Sequence, residues 1–275
     1  MTNSQPTIYG VDPAPGKGLT IWSADGLATK KPLEAKSWLD ERVQSHQRML
    51  IAWDAPISFD SSISYYDRPI EIVMREFFND KCCLGRFEKK TYKKREPSNM
   101  AVSVQPFSGC SHWAITCDVL GRPFSCNERR IAIANTRHDV SGNAVFVIEV
   151  HPAVTLGLWW LERNISGPMP AYKGRKKKSL MICDKLKDLV PDCVKKKIEE
   201  TIIKKSESKP SWDDILDAFV AYRMAEDFMK GDAIWVGNPV NGGFVLPKIA
   251  QSKYHLGTKV KTLINGLNTK DDSLS

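Results

Sequence analysis

Carboxylate side chains close or interrupt several hydrophobic segments of this chain. Asp12, Asp54 and Glu149 each follow a short apolar run, and Asp217 lies inside the apolar run of residues 215–220. A carboxylate at the end of a buried strand is costly unless it is paired or bound to a metal. These positions therefore predict that strand ends and a helix converge on a cation. Two close divalent ions held by carboxylates are a standard device for cleaving phosphodiester bonds.

Each strand-end carboxylate also has a structural alternative. Asp12 and Asp54 adjoin proline-containing turns, where aspartate is common for turn chemistry alone. Glu149 is different, because glutamate is not a turn former and is disfavoured in strands. A salt bridge to one of the many lysines is the structural alternative for Glu149.

The segment 211–229 has the strongest helical pattern in the chain. Ser211 and Asp214 fit a capping box in which Asp replaces the usual Glu, so Asp214 has a structural reason to be there. Asp217 lies past the capping positions. At about 100° per residue, one helix face holds Asp214, Asp217, Ala218, Ala221 and Ala225. Because alanines permit close approach, we expect this face to bring both carboxylates against a sheet.

The elements that must position these groups are strands and helices in alternation. The pattern predicts strands over 7–14, 19–23 and 27–31, a helix over 32–47 and a strand over 49–53. That order predicts an antiparallel meander followed by a crossover into a mixed sheet of the α/β class. Further predictions are helices over 68–79, 154–162 and within 173–209, a strand over 145–150, and short extended pieces at 233–236 and 243–247.

Composition places the chain among soluble globular proteins. It has 275 residues, of which 42% are hydrophobic and 26% charged. There is no apolar run of the roughly 20 residues that span a bilayer. The first residues show no basic region followed by an apolar stretch, so we expect no signal peptide. The seven cysteines form no CxxC pair. Together these features predict reduced thiols, no membrane partner and a cytoplasmic location.

The formal net charge of +8 is concentrated in a few segments. Basic residues cluster at 88–95, 173–178 and 195–209. Clusters of this size are typical of proteins that bind a polyanion such as nucleic acid, DNA or RNA. A solvated surface is the alternative explanation, so the charge supports a nucleic-acid partner without establishing it.

Short blocks of this sequence resemble the domain-of-unknown-function 429 family, described as predicted nucleases with an RNase H-like fold. The matching blocks are Gly10-Val11-Asp12, Ile51-Ala52-Trp53-Asp54-Ala55-Pro56, Val147-Ile148-Glu149-Val150-His151-Pro152 and Asp213-Asp214-Ile215-Leu216-Asp217-Ala218, with a weaker one at Gly243-Phe244-Val245-Leu246-Pro247. They follow the family's order between residues 7 and 247. The resemblance implies a five-stranded mixed sheet flanked by helices over 1–247, with inserted helical and basic segments at about 57–140 and 173–209. A partly disordered C-terminal extension would occupy 248–275.

The resemblance also implies a catalytic site. Asp12, Asp54 and Asp217 would bind two divalent ions, with Asp214 and Glu149 as supporting catalytic residues. Oxygen ligands of this kind favour Mg²⁺ or Mn²⁺. The expected contacts to substrate come from Lys17, Lys93, Lys94, Lys176, Lys177 and His151, although a structural hydrogen bond is the alternative for His151. The implied activity is divalent-metal-dependent hydrolysis of phosphodiester bonds.

Two alternatives stay open. One is a catalytically inactive RNase H-like scaffold that binds nucleic acid or protein, in which the carboxylates serve as caps and salt bridges. The other is an actin-like or sugar-kinase-type phosphotransferase, since residues 12–18 resemble the first phosphate loop of those enzymes. No convincing second phosphate loop or adenosine motif accompanies it.

Overall fold

The computed structural model describes residues 5–14, 17–45, 48–57, 68–81, 110–121, 131–141, 144–201, 210–238 and 242–271. The strands are β1 (Thr7–Ala14), β2 (Gly18–Ser23), β3 (Gly26–Lys30), β4 (Met49–Trp53), β5 (Ile131–Ile133), β6 (Val145–Glu149), β7 (Ala233–Asn238) and β8 (Gly242–Pro247). The helices are α1 (Pro32–Gln44), α2 (Pro69–Lys81), α3 (Cys110–Leu120), α4 (Pro152–Glu162), α5 (Lys176–Lys185), α6 (Asp192–Glu200), α7 (Trp212–Lys230), α8 (Ile249–Ser252) and α9 (Leu256–Asp271).

The main sheet is mixed and has the strand order β3-β2-β1-β4-β6-β5. Strand β2 is antiparallel to both β1 and β3, whereas β1, β4, β6 and β5 run parallel. The predicted α/β class, with a mixed sheet flanked by helices, is confirmed. The predicted number of five strands is wrong, because β5 adds a sixth strand beside β6. With only three residues, β5 is too short to show a period of two in the sequence.

Helices cover both faces of the main sheet and bury a separate core on each. The core on one face joins α7, α4 and α2 to residues such as Leu50, Ala52 and Ile148. On the other face, α1 and α3 pack against residues such as Ile51 and Val147. These sheet residues alternate between the two cores because successive side chains of a strand point to opposite faces. Strands β4 and β6 are therefore buried on both sides, which explains their continuous apolar sequences.

Helix α7 lies unusually close to β1. A Cβ atom built on Gly10 would stand 2.2 Å from the carbonyl oxygen of Ala218 and 2.1 Å from the backbone nitrogen of Tyr222. Ala218, Ala221 and Ala225 are fully buried, as the predicted alanine face requires. Glycine on the strand and alanine on the helix thus let the two backbones meet.

The segments predicted as insertions and as an extension contain regular elements. Helices α2 and α3 and strand β5 lie within 57–140, while α5 and α6 lie within 173–209. Beyond residue 247 the chain forms α8 and α9, and Leu256 and Val260 are buried in the same core as α7. Within the described ranges, no helix is both long enough and apolar enough to cross a membrane.

Candidate functional site

Strands β1 and β4 place two aspartates side by side. Val11 is paired with Trp53 in the parallel ladder, so Asp12 and Asp54 are the next residues of adjacent strands. The backbone N–H of Asp54 donates to the carbonyl oxygen of Val11 at 2.9 Å, which extends the ladder to this position. Asp12 is buried and Asp54 is half-buried. Two carboxylates therefore share one edge of the sheet.

Helix α7 brings two further aspartates to the same edge. Asp217 is completely buried, and Asp214 is nearly so. An Asp214 carboxylate oxygen accepts a hydrogen bond from the backbone N–H of Ser211 at 2.7 Å, so the predicted capping box is present. Asp217 has no capping task, and its burial follows from the close packing of α7 on β1.

The loop between α4 and α5 supplies the groups that bind Asp217. The hydroxyl of Tyr172 donates to one Asp217 carboxylate oxygen at 2.6 Å. The ammonium of Lys173 donates to the other oxygen and forms an ion pair with it. Tyr172 is buried, whereas half of the Lys173 side chain is exposed. Both carboxylate oxygens of Asp217 are therefore engaged.

The carboxylates act on one another electrostatically. Burial raises the pKa of Asp12 well above its ordinary value of 3.8, and Lys173 opposes that shift. Asp54, Asp217 and Asp214 raise the pKa of Asp12 further through repulsion. Burial also raises the pKa of Asp54 well above the ordinary value, against Lys173 and with help from Asp217. These mutual shifts indicate that the side chains of Asp12, Asp54 and Asp217 lie within electrostatic reach of one another.

Lys173 is a counter-charge of this cluster. Burial lowers the pKa of its ammonium, but Asp217, Tyr172, Asp54 and Asp12 together raise that pKa well above its ordinary value. The lysine is therefore fully protonated at neutral pH. Its charge offsets part of the repulsion among the aspartates.

The donor set has the right chemistry for a hard divalent cation. Carboxylate oxygens are the ligands that Mg²⁺ and Mn²⁺ prefer, and the mutual repulsion of Asp12, Asp54 and Asp217 would be relieved by a cation. Across the ranges that the structure describes, however, no three His, Cys, Asp or Glu side chains stand together as a ready metal-binding group. Asp217 is turned to Lys173 and Tyr172 in this arrangement.

Glu149 has a different environment from the aspartates. It is paired with Trp53 in the ladder between β4 and β6. Glu149 therefore lies one residue position before the level of Asp12 and Asp54. Its two oxygens accept hydrogen bonds from Arg68 at 2.5 and 3.0 Å, and one also accepts from the backbone N–H of Ile57 at 3.1 Å. These contacts favour a salt bridge for Glu149 over a role as metal ligand or base. The partner is an arginine and not one of the lysines that the sequence suggested.

Arg68 lies between two glutamates in the interior. It also donates to Glu71, at 2.7 and 3.0 Å, and it is only 3% exposed. A buried guanidinium needs this many acceptors, because an unpaired buried charge is very costly. The network ties the end of β6 to the start of α2, beside the aspartates.

His151 lies two residues after Glu149, the last residue of β6, and immediately precedes α4. Burial, together with the charges of Lys173 and Arg68, lowers its pKa to about 3. Its ring packs edge-on against Phe244, with centroids 5.2 Å apart. Nδ1 is buried and makes no hydrogen bond within the part of the chain that the structure describes. His151 is therefore a neutral group close to the cluster.

The lysines predicted to contact substrate differ in position. Lys17 forms an ion pair with Asp214 at 3.6 Å and is half-exposed, which places it at the rim of the cluster. Lys176 donates to the carbonyl oxygens of Glu199 and Thr201, so it holds α5 to the end of α6. Lys177 is exposed on α5. Lys93 and Lys94 lie outside the described residues.

Two residues of the site were not singled out from the sequence. Lys173 was grouped with the basic run 173–178, and Tyr172 had no assigned role. A partial signal does exist. Lys173 and Gly174 occupy the centre of a turn closed by the N–H of Arg175 and the carbonyl of Tyr172 at 2.8 Å, and glycine favours turns because it adopts a positive φ at no steric cost. The sequence alone does not show that this turn meets α7.

Comparison with known proteins gives no relative from which a function could be transferred. No family model, curated protein or solved structure matches this chain. The functional argument therefore rests on the site itself.

Proposed function

We propose that this protein is a divalent-metal-dependent nuclease of the RNase H-like type. The observation that carries the proposal is the convergence of Asp12, Asp54 and Asp217, from two adjacent parallel strands and one helix, on the ammonium of Lys173. Acidic groups are brought together at such a cost in repulsion chiefly where function requires it.

The order of the strands supports the RNase H-like assignment. In the RNase H-like superfamily that the resemblance implies, the first strand, the fourth strand and a late helix provide the acidic residues. Here β1 and β4 are neighbours at the centre of the sheet, β2 and β3 extend it antiparallel to β1, and α7 packs on β1. β6, which corresponds to the fifth strand of that fold, follows β4 in parallel, and β5 is an addition at the edge.

Asp12, Asp54 and Asp217 would hold Mg²⁺ or Mn²⁺, with Asp214 close by. Bound divalent ions activate water and stabilise the leaving oxygen of a phosphodiester. The chain itself supplies the fixed carboxylates, which are positioned by the ladder between β1 and β4 and by the burial of α7. Asp214 also caps the N-terminus of α7 by accepting the hydrogen bond from the backbone N–H of Ser211.

Nucleic acid is the substrate class that the surrounding charge favours. Arg175, Lys177 and Lys178 follow the Lys173 turn directly and are exposed, and the half-exposed Lys17 lies beside Asp214. Lysine and arginine side chains position a phosphate backbone without reading its sequence. We therefore expect cleavage that depends on salt concentration and not strongly on base sequence.

The test is cleavage of a labelled panel of DNA and RNA substrates with Mn²⁺ or Mg²⁺. The panel should include single-stranded, duplex and branched forms. Wild-type protein should cleave at least one substrate, and Asp12→Asn/Asp217→Asn should cleave none while remaining folded. Equal cleavage by the double variant would refute the assignment of these residues.

A second candidate is an inactive scaffold that binds nucleic acid through its basic surface. The specific observation in its favour is that Lys173 and Tyr172 satisfy both oxygens of Asp217. In that case the double variant should bind nucleic acid as wild type does, and neither protein should cleave the panel.

A further inference from the structure

We propose that Lys173 is a tethered counter-ion that competes with divalent metal for the carboxylate of Asp217. The inference rests on the proposed function, because it concerns the same carboxylates. It adds a regulatory step to that function, in which binding of the metal requires release of the lysine.

The contacts of Asp217 divide between a fixed and a removable partner. Tyr172 is 1% exposed, so its hydroxyl is held at one oxygen by the surrounding core. Lys173 has 51% of its side chain exposed. Its ammonium is buried at Asp217, but the exposed stem lets the side chain swing outward without opening the core. Removing Lys173 would free one oxygen of Asp217 while Tyr172 keeps the carboxylate in place.

The turn that carries Lys173 makes the ammonium an effective competitor. Tyr172 and Arg175 close this turn, and Gly174 adopts the positive φ of 68° that the turn requires. A group held on a short tether acts at a high effective concentration. To bind Asp217, a divalent ion must therefore displace the ammonium of Lys173 as well as lose water ligands.

The position of Lys173 also explains why the aspartates are not grouped as metal ligands in the described part of the chain. Among the described residues no three acidic, histidine or cysteine side chains are grouped for a metal, although Asp12, Asp54 and Asp217 are near enough to shift one another's ionisation. With the ammonium at Asp217, this carboxylate faces the lysine. Displacement of Lys173 is the change that would let Asp217 join the other two.

The decisive experiment is calorimetric titration of Mn²⁺ into metal-free protein. Lys173→Met keeps the length of the side chain and removes its charge, whereas Lys173→Arg keeps a charge. Lys185→Met is the matched control, since Lys185 is an exposed lysine on α5 to which no contact with metal or substrate is assigned. Melting temperatures without metal give an independent readout of the ion pair.

We expect Lys173→Met to bind Mn²⁺ about tenfold more tightly than wild type, which corresponds to a gain of about 1.4 kcal/mol. It should also melt at a lower temperature without metal, because Asp217 loses its counter-charge. Lys173→Arg and Lys185→Met should bind Mn²⁺ as wild type does. Unchanged or weaker Mn²⁺ binding by Lys173→Met would show that Lys173 does not compete with the metal. The proposed metal site itself would not be contradicted by that result.

Absence of Mn²⁺ binding in all of these proteins would refute the proposed function and this inference together. If Lys173→Met does not fold, Gly174→Ala provides the second variant. A Cβ on Gly174 meets no atom within 4 Å, so the substitution strains the turn without a clash and retains every charge. It should also raise the affinity for Mn²⁺, and an unchanged affinity would contradict the role of the turn.

Discussion

The backbone of Gly10 lies directly against the backbone of Ala218. A Cβ on Gly10 would stand 2.2 Å from the Ala218 carbonyl oxygen, a distance that no packed structure accommodates. Gly10 precedes Asp12 by two residues and Ala218 follows Asp217, so the contact sets the distance between the two carboxylates. Position 10 requires glycine because the backbones of β1 and α7 approach closely there, and not because its φ is unusual.

We therefore expect Gly10→Ala to push α7 away from β1. Overpacking of a core typically costs about 1–3 kcal/mol and occasionally more, and contact with rigid backbone places this site at the upper end. Urea denaturation should report the loss of stability, and calorimetry should report weaker binding of Mn²⁺. Gly257→Ala is the control, because its Cβ would meet only the flexible end of Gln251. A stable Gly10→Ala protein with normal Mn²⁺ binding would contradict this view of the site.

Asp12→Asn should stabilise the metal-free protein at neutral pH. Burial and repulsion from Asp54, Asp217 and Asp214 raise the folded-state pKa of Asp12, against the pull of Lys173. A raised carboxyl pKa favours folding while the group is protonated. That contribution is present below the ordinary pKa and is lost as pH rises through the folded-state pKa. Asn removes the penalty, so the melting temperature at pH 7 should rise by a few degrees.

The gain from Asp12→Asn should shrink toward zero as pH falls below the ordinary carboxyl range. Thermal denaturation in the presence of EDTA, from pH 3 to pH 8, measures this dependence. Asp25→Asn changes the same charge at an exposed turn and should give no comparable gain. If Asp12→Asn is less stable than wild type across that range, the carboxylates do not repel one another as described.

Tyr172→Phe should destabilise the protein by about 1.5–3 kcal/mol, the usual contribution of a hydrogen bond to a charged group. The lost bond is the 2.6 Å contact to Asp217, which is fully buried. Chemical denaturation gives the free energy of unfolding. Tyr222→Phe is the matched control, since its hydroxyl binds Glu226 at 3.1 Å in a partly buried position and its loss should cost less. Equal costs for the two substitutions would argue against the special position of Tyr172.

Local sequence patterns were sufficient for most of the framework. Strands β4 and β6 are continuous apolar runs because both of their faces are buried. The alanine face of α7 is predicted by the helical spacing of its alanines. The aspartates that end or interrupt these elements follow from the same patterns. Their convergence could be predicted because parallel neighbours end at the same edge of a sheet.

Contacts between distant parts of the chain could not be read in this way. Lys173 and Asp217 are 44 residues apart, and Arg68 and Glu149 are 81 residues apart. Nothing in a basic run identifies which lysine turns inward, because that depends on how one loop crosses α7. Likewise, an acidic residue at a strand end has the same local pattern whether it faces a metal or an arginine.

Glu149→Gln distinguishes these two possibilities. It breaks a buried pair with Arg68, and breaking such a pair typically costs about 3–5 kcal/mol, although the remaining partner Glu71 should reduce the loss. Burial raises the pKa of Glu149 while Arg68 opposes that shift, so the carboxylate depends on Arg68 to stay charged. We expect lower stability in urea and unchanged Mn²⁺ affinity by calorimetry. Asp54→Asn should show the converse, with weaker Mn²⁺ binding and no loss of stability. Loss of Mn²⁺ binding by Glu149→Gln at full stability would instead make Glu149 a ligand.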